Sequence, residues 1–220
     1  NCDRDVAIAL KKFQIQNQMV WHNETNLPKS DLVVLPGGFS YGDYLRPGAI
    51  ARFSPVMASL ESFAAQGKMI IGICNGFQVL CEAGLLPGIL RKNHHLQFRC
   101  QSVNLRVENT ETMFTNACSQ AQILQIPISH GDGNYYADEH TLEHLQEENR
   151  IIFRYCSPEG SITSEANPNG SIDNIAGIIN ERGNILGMMP HPERAVERAL
   201  GGEHGLFLFR SILDSFLLHH

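Results

Sequence analysis

The sequence predicts an α/β fold: a mostly parallel central sheet with helices on both faces. Three observations point there. Strand-like and helix-like runs alternate through the first 84 residues. Two of the runs, "DLVVLP" and "KMIIGI", are continuous apolar stretches, as in strands buried on both faces. Each passes directly into a glycine-rich turn, at the sheet edge where such folds bind ligands.

The elements follow in order. Val6, Leu10 and Phe13 recur at helical spacing, and "QMVW" at 18–21 reads as a short strand. "DLVVLP" is a strand bounded by Asp31 and Pro36. Ser54 and Pro55 form an N-cap and first-turn pair for a helix to about Gln66. "KMIIGI" is the next strand, and Gly76–Ala83 a helix stopped by Gly84. From Leu96 to Ile128 the pattern is β-rich, in "QFRC", "VNLRVE" and "ILQIPIS". Asp138–Glu148 reads as a helix and "RIIFRYC" as a strand, while "DNIAGIIN" and "GNILGMM" flank a hairpin turn at "ERGN". A last helix spans about Gly205–Leu218, with Leu206, Phe209, Leu213 and Phe216 on one face. No repeat, low-complexity tract or linker interrupts the chain, so one domain over residues 1–220 is expected.

Composition narrows the function classes. With 220 residues and 43% hydrophobic content the chain is of ordinary globular type. A formal charge of −6 argues against nucleic acid as the main partner, since phosphate neutralisation needs clustered Lys and Arg. No apolar stretch approaches the ~20 residues of a membrane span, and no secretory pattern opens the sequence. The six cysteines form no CxxC pair, which suits a reducing, cytoplasmic compartment. His94, His95 and Cys100 match no common zinc spacing, so no metal site is expected. The basic "LRKNHH" at 90–95 reads as a solvated turn.

The chemistry concentrates in "GICNGFQ", residues 72–78. A G-x-C-x-G turn between strand and helix has the form of a nucleophile elbow. Gly72 and Gly76 remove the Cβ atoms that would clash there, and the turn lifts Cys74 above the sheet edge. Backbone N–H groups at the helix N-terminus stabilise negative charge beside the sulfur. Taken alone, the turn could equally hold an inert buried cysteine. A cysteine nucleophile needs a base and the base an orienting group. "MMPHPERA" supplies His191 and Glu193 after a strand, where extended backbone would put both on one face. "PGGFSYGD" at 36–43 brings bare backbone donors to a sheet edge, suited to an oxyanion hole and matching no nucleotide-binding glycine pattern.

With these pieces assembled, the chain resembles class I glutamine amidotransferases. "PGGFSYGDYLRPGAIAR", "GICNGFQVL", "HGDGNYY" and "GMMPHPERA" match, in order and spacing, the family of glutaminase subunits of phosphoribosylformylglycinamidine synthases, from residue 1 to about 217. The resemblance implies a flavodoxin-like layered fold. It implies that Cys74 attacks the side-chain amide of L-glutamine to form a γ-glutamyl thioester, that His191 is the general base and acid, and that Glu193 orients it. Gly38 and Asn75 would donate backbone N–H groups to the oxyanion. Phe39, Gln78, His130, Gly131 and Asn134 would shape the glutamine pocket.

Two rivals share part of the pattern. Peptidase- or deglycase-like cysteine hydrolases of the same fold usually carry His after the nucleophile, where this chain has Asn75. A non-catalytic interaction subunit would not need Cys74, His191 and Glu193 together. The resemblance further implies a large synthetase subunit that carries ATP and Mg²⁺, often with a small third subunit, and no cofactor in this chain. The "SYGDYLRPGA" loop, with Tyr41, Tyr44 and Arg46, has the residue types of an interface. Members of the family begin with an apolar strand before "NCD"; the sequence is accordingly expected to be shortened relative to the natural chain.

Overall fold

Strands of four to nine residues, continuously apolar or alternating, pair into one seven-stranded sheet, and the computed structural model describes residues 2–218. Helix α1 (Asp3–Lys12) leads to β1 (Leu32–Leu35), α2 (Val56–Ala65), β2 (Met69–Ile73) and α3 (Asn75–Glu82). β3 (Ile89–Arg91), β4 (Arg99–Val107), β5 (Ile123–His130) and β6 (Asn134–Tyr136) follow. Then come α4 (Glu139–Glu147), β7 (Ile151–Cys156), β8 (Ile175–Ile179), β9 (Ile185–Met188) and α5 (Leu206–Leu218). The sheet order is β1-β2-β9-β8-β7-β4-β5, while β3 and β6 pair in a separate two-stranded sheet.

The α/β architecture is as expected, but the sheet is mixed rather than mostly parallel. β1, β2 and β9 run parallel. The pairs β9–β8, β8–β7, β7–β4 and β4–β5 are antiparallel. β8 and β9 form the foreseen hairpin, and two antiparallel strands need only a short turn where parallel ones need a crossover. β2 and β9 are buried at every position, as a continuous apolar run in the middle of a sheet should be. β1 is only half-buried, because among the described strands it pairs on one side alone.

Other expectations shift by small physical causes. "QMVW" is not a strand: residues 15–21 are irregular, with Met19 and Trp21 more than half exposed. Helix α2 starts at Val56 with Pro55 at its N-cap, and Ser54 caps nothing through its side chain. α4 does have the expected cap, the Asp138 carboxylate accepting from the Thr141 N–H at 2.8 Å. In α5 the deeply buried apolar residues are Leu208, Phe209 and Ile212, while Leu206, Leu213 and Phe216 are half-buried. Phe13 after α1 meets Phe209 with ring centroids 5.9 Å apart. His219 and His220 lie outside the described residues.

Close packing of α3 on the parallel strands positions the site. A Cβ on Gly76 would lie 2.0 Å from the Leu35 carbonyl oxygen, and one on Gly187 would lie 2.1 Å from the Phe77 ring. Only glycine lets backbone and ring approach so closely.

Candidate active site

Cys74 occupies the N-cap of α3 with φ 51° and ψ −104°, a conformation that costs a non-glycine residue about 1–3 kcal/mol. The surroundings enforce it. The Cys74 N–H donates to the Met188 carbonyl at 2.8 Å, and its own carbonyl accepts from Gln78 N–H at 3.2 Å. A Cβ on Gly72 would meet the Gly76 backbone at 2.7 Å, so strand and helix cross with no room for side chains. The elbow expected from G-x-C-x-G is therefore present.

Because β2 and β9 are parallel neighbours, their carboxyl ends deliver Cys74 and the 189–194 segment to the same edge. His191 N–H donates to Pro127 of β5 at 2.8 Å, which fixes the ring over the edge. The segment is not extended, as i, i+2 logic requires, but a 3₁₀ turn over Pro192–Arg194. Glu193 reaches back through that turn, and its Oε1 lies 2.6 Å from His191 Nδ1. His191 and Glu193 are 1% and 3% exposed, so the pair is shielded from water. A Cβ on Gly37 would lie 2.7 Å from His191 Cε1 and 3.4 Å from Cys74 Cβ. Glycine thus leaves room for the imidazole and the Cys74 side chain on the same side of the turn.

The electrostatics follow from burial and partners. Burial opposes a charge on His191, but the adjacent Cys2 and Cys74 thiols, the Glu193 hydrogen bond and the Glu193 charge outweigh it and raise its proton affinity well above the ordinary value. His191 Nε2 and Glu193 Oε2 are buried without a partner among the described residues. The Cys74 Sγ lies 3.7 Å from the Ser129 carbonyl, a loose contact for a thiol.

The remaining expected residues fall into two groups. Gly38 follows Gly37 on the turn beside the imidazole, and Asn75 is the first residue of α3, whose N–H has no intrahelical acceptor. The Asn75 side chain accepts from Ser40 N–H and Oγ and donates to Gln78 Oε1 at 2.9 Å, while Gln78 Nε2 donates to the Asp132 carbonyl at 2.6 Å. That chain ties the 37–43 loop, the elbow and the 130–134 loop together. Phe39 is exposed, its ring centroid 6.3 Å from that of Phe98.

His130, at the end of β5, is buried, and burial together with the nearby His191 and His95 pushes its pKa down to about 3. Asn169 Nδ2 stands 3.1 Å from its Nε2. Asn93 Nδ2 donates to the His130 carbonyl, its N–H to the Gly131 carbonyl, and its Oδ1 accepts from Gly133 N–H. Asn134 is buried on β6, where it pairs with Arg91. Asn93 and Asn169 are thus the builders of this loop, and sequence reading missed both. Asn93 sits inside the "LRKNHH" stretch read as solvated, and is fully buried. Its only local signal was a short polar residue amid larger charged ones.

Cys2 was missed as well. Its thiol lies beside the His191–Glu193 pair, with one ligand atom of each of the three within 4.8 Å of the others.

The profile of the CobB/CobQ-like glutamine amidotransferase domain matches residues 1–201. The chain belongs to that family. Among its members it is 57% identical over 215 residues to phosphoribosylformylglycinamidine synthase subunit PurQ of Moorella thermoacetica, covering 97% of this chain and 91% of that one. It is 55% identical to the subunit of the same name from Acaryochloris marina, covering 99% of this chain and 93% of that one. The solved structure of PurLQS from Thermotoga maritima matches with a TM-score of 0.87 at 43% identity, over 98% of this chain and 93% of that one. The glutaminase domain of Trypanosoma brucei CTPS with bound acivicin, at TM-score 0.58 and 13% identity over 96% of this chain and 86% of that one, shows the shared amidotransferase fold. The amidotransferase chain is accordingly of the PurQ kind. None of its described helices is long and apolar enough to cross a membrane.

Proposed function

We propose that this amidotransferase hydrolyses L-glutamine through Cys74, His191 and Glu193 and delivers ammonia to a synthetase subunit that converts formylglycinamide ribonucleotide to formylglycinamidine ribonucleotide. The observation that carries the reading is the convergence of a strained, buried cysteine and a buried His–Glu pair at one sheet edge. His191 accepts the Cys74 proton, and the sulfur attacks the amide carbon. Gly38 and Asn75 N–H groups receive the developing oxyanion, and His191 returns the proton to departing ammonia. Water then cleaves the γ-glutamyl thioester with His191 as base, releasing glutamate. Glu193 keeps the imidazole oriented and balances its charge.

The pocket wall is the 130–134 loop with Phe39. Gln78 has both ends of its amide engaged within the protein, so it acts there as a brace between loops. Residues 1–220 act as one domain with no cofactor of its own; ATP and Mg²⁺ belong to the synthetase, a small third subunit completes the assembly, and the complex works in the cytoplasm. The synthetase docks over the mouth, where Phe39, Tyr44, Leu45, Leu96 and Phe98 are all more than half exposed. Within this loop Arg46 is held by Glu82 and Tyr41 by His22, so Tyr44 and Leu45 are the free contacts.

Glutamate formation by the chain alone is expected to be slow and to rise on addition of the synthetase. Cys74→Ala should lower it by about four orders of magnitude with an unchanged melting temperature. An unimpaired Cys74→Ala enzyme would end the reading.

A further inference from the structure

The proposed triad chemistry leaves one buried reactive group unused. Cys2, at the N-cap of α1, is 7% exposed, and its N–H donates to the Gly37 carbonyl at 3.0 Å. Its backbone therefore pins the turn that presents Gly38. Its sulfur accepts from Arg194 Nη2 at 2.9 Å, and Arg194 Nε is held in turn by Asp5 Oδ2 at 3.3 Å. The position of a Cβ on Gly37 lies 3.2 Å from Cys2 Sγ and 2.7 Å from His191 Cε1, so thiol and imidazole close on the same small space. Meanwhile Glu193 Oε2 and His191 Nε2 are among the buried side-chain atoms left without partners within the described residues. An unpaired buried carboxylate oxygen is costly, and a thiol with its proton unengaged is the donor at hand.

We infer that Cys2 is a positioning residue: its thiol, aimed by Arg194, hydrogen-bonds the His191–Glu193 pair and holds the imidazole in the orientation that serves Cys74. One sulfur is acylated and the other steadies the base. This inference rests on the triad reading above. The charged and titratable groups around the imidazole are Glu193 and Arg194 on its own turn, Cys2 and Asp5 at the start of α1, Cys74 at α3 and His130 on β5.

The test uses the complex with the synthetase, assaying glutamine hydrolysis across pH. Cys2→Ala should lower kcat about tenfold, the size of one hydrogen bond to a charged group, with KM for glutamine within about twofold. Losing the Cys2 contact should also move the His191-dependent limb of kcat/KM away from its wild-type position. Cys2→Ser keeps a donor of similar size and should recover most of the rate and the original limb. Arg194→Gln leaves Cys2 in place but unaimed, and should shift the limb in the same direction; it decides the matter if Cys2→Ala fails to fold. An electrophilic glutamine analogue should label Cys74 and spare Cys2. A wild-type kcat and pH profile for Cys2→Ala, or a Cys2→Ser enzyme no better than Cys2→Ala, would overturn the inference while leaving the triad intact. Loss of the triad itself would show instead as an active Cys74→Ala enzyme.

Discussion

The parallel and antiparallel halves of the sheet contribute to the site in different ways. β2 and β9 are buried throughout and end at the chemistry: one carries the elbow, the other the His–Glu turn. β5, in the antiparallel half, alternates buried and partly exposed positions and offers mainly backbone acceptors, Pro127 to His191 and Ser129 to Cys74. Parallel strands place several carboxyl ends side by side, so residues distant in sequence converge there. An antiparallel neighbour brings its backbone past the same edge and supplies a wall. The difference teaches that reactive side chains come from the end of one half and their restraint from the flank of the other.

Glycine substitutions separate the halves most sharply. Gly76→Ala would force a methyl group against the Leu35 carbonyl at 2.0 Å, and should cost about 3 kcal/mol in urea unfolding along with most of the activity. Gly183→Ala, in the open β8–β9 turn with φ +71°, should cost only about 1 kcal/mol and leave glutamine hydrolysis unchanged. Equal losses would mean that α3 relaxes and that the tight crossing is not what holds the elbow.

The two buried histidines give opposite pH signatures. The folded-state pKa of His191 is raised from an ordinary 6.5, so its stabilisation is fully present below pH 6.5 and fades as pH rises through the raised value. That of His130 is lowered to about 3, so its stabilisation is present above pH 6.5 and is lost as pH falls toward 3. Each proton contributes a slope of at most about 1.4 kcal/mol per pH unit in unfolding free energy. His191→Asn should flatten the alkaline side of the stability curve and His130→Asn the acid side; the reverse assignment would refute a charged His191 beside a neutral His130.

Asp43 offers the smallest and most local test. Burial, then repulsion from Asp132, raises its pKa to about 6, and its Oδ1 is buried without a partner among the described residues. The ionised carboxylate therefore costs stability at neutral pH, and that cost disappears as pH falls below 3.8. Asp43→Asn should raise the melting temperature slightly at pH 7.5 and not at pH 3.5. A lower melting temperature at pH 7.5 would show that the charge has a partner in the folded chain.

Much of the site was legible because its signals are local. Gly72, Cys74 and Gly76 lie within five residues, and a turn of that composition has few backbone solutions. His191 and Glu193 are two residues apart, and the hairpin before them is marked by "ERGN". Neither the mixed sheet nor the 3₁₀ turn at Pro192–Arg194 has such a marker, since strand direction depends on which edge is already occupied. "QMVW" failed for a related reason: apolar composition does not by itself pair a segment with a sheet edge.

What the sequence alone determined, then, was the elbow, the His–Glu pair and the order of elements, each set by sterics or hydrogen bonding between near neighbours. Tertiary structure decided strand direction, the burial of Asn93 and Asn169 behind the 130–134 loop, and the meeting of Cys2 with His191. These depend on contacts between residues tens to nearly two hundred positions apart. Such contacts form only once burial has brought the segments together, and no local preference encodes them.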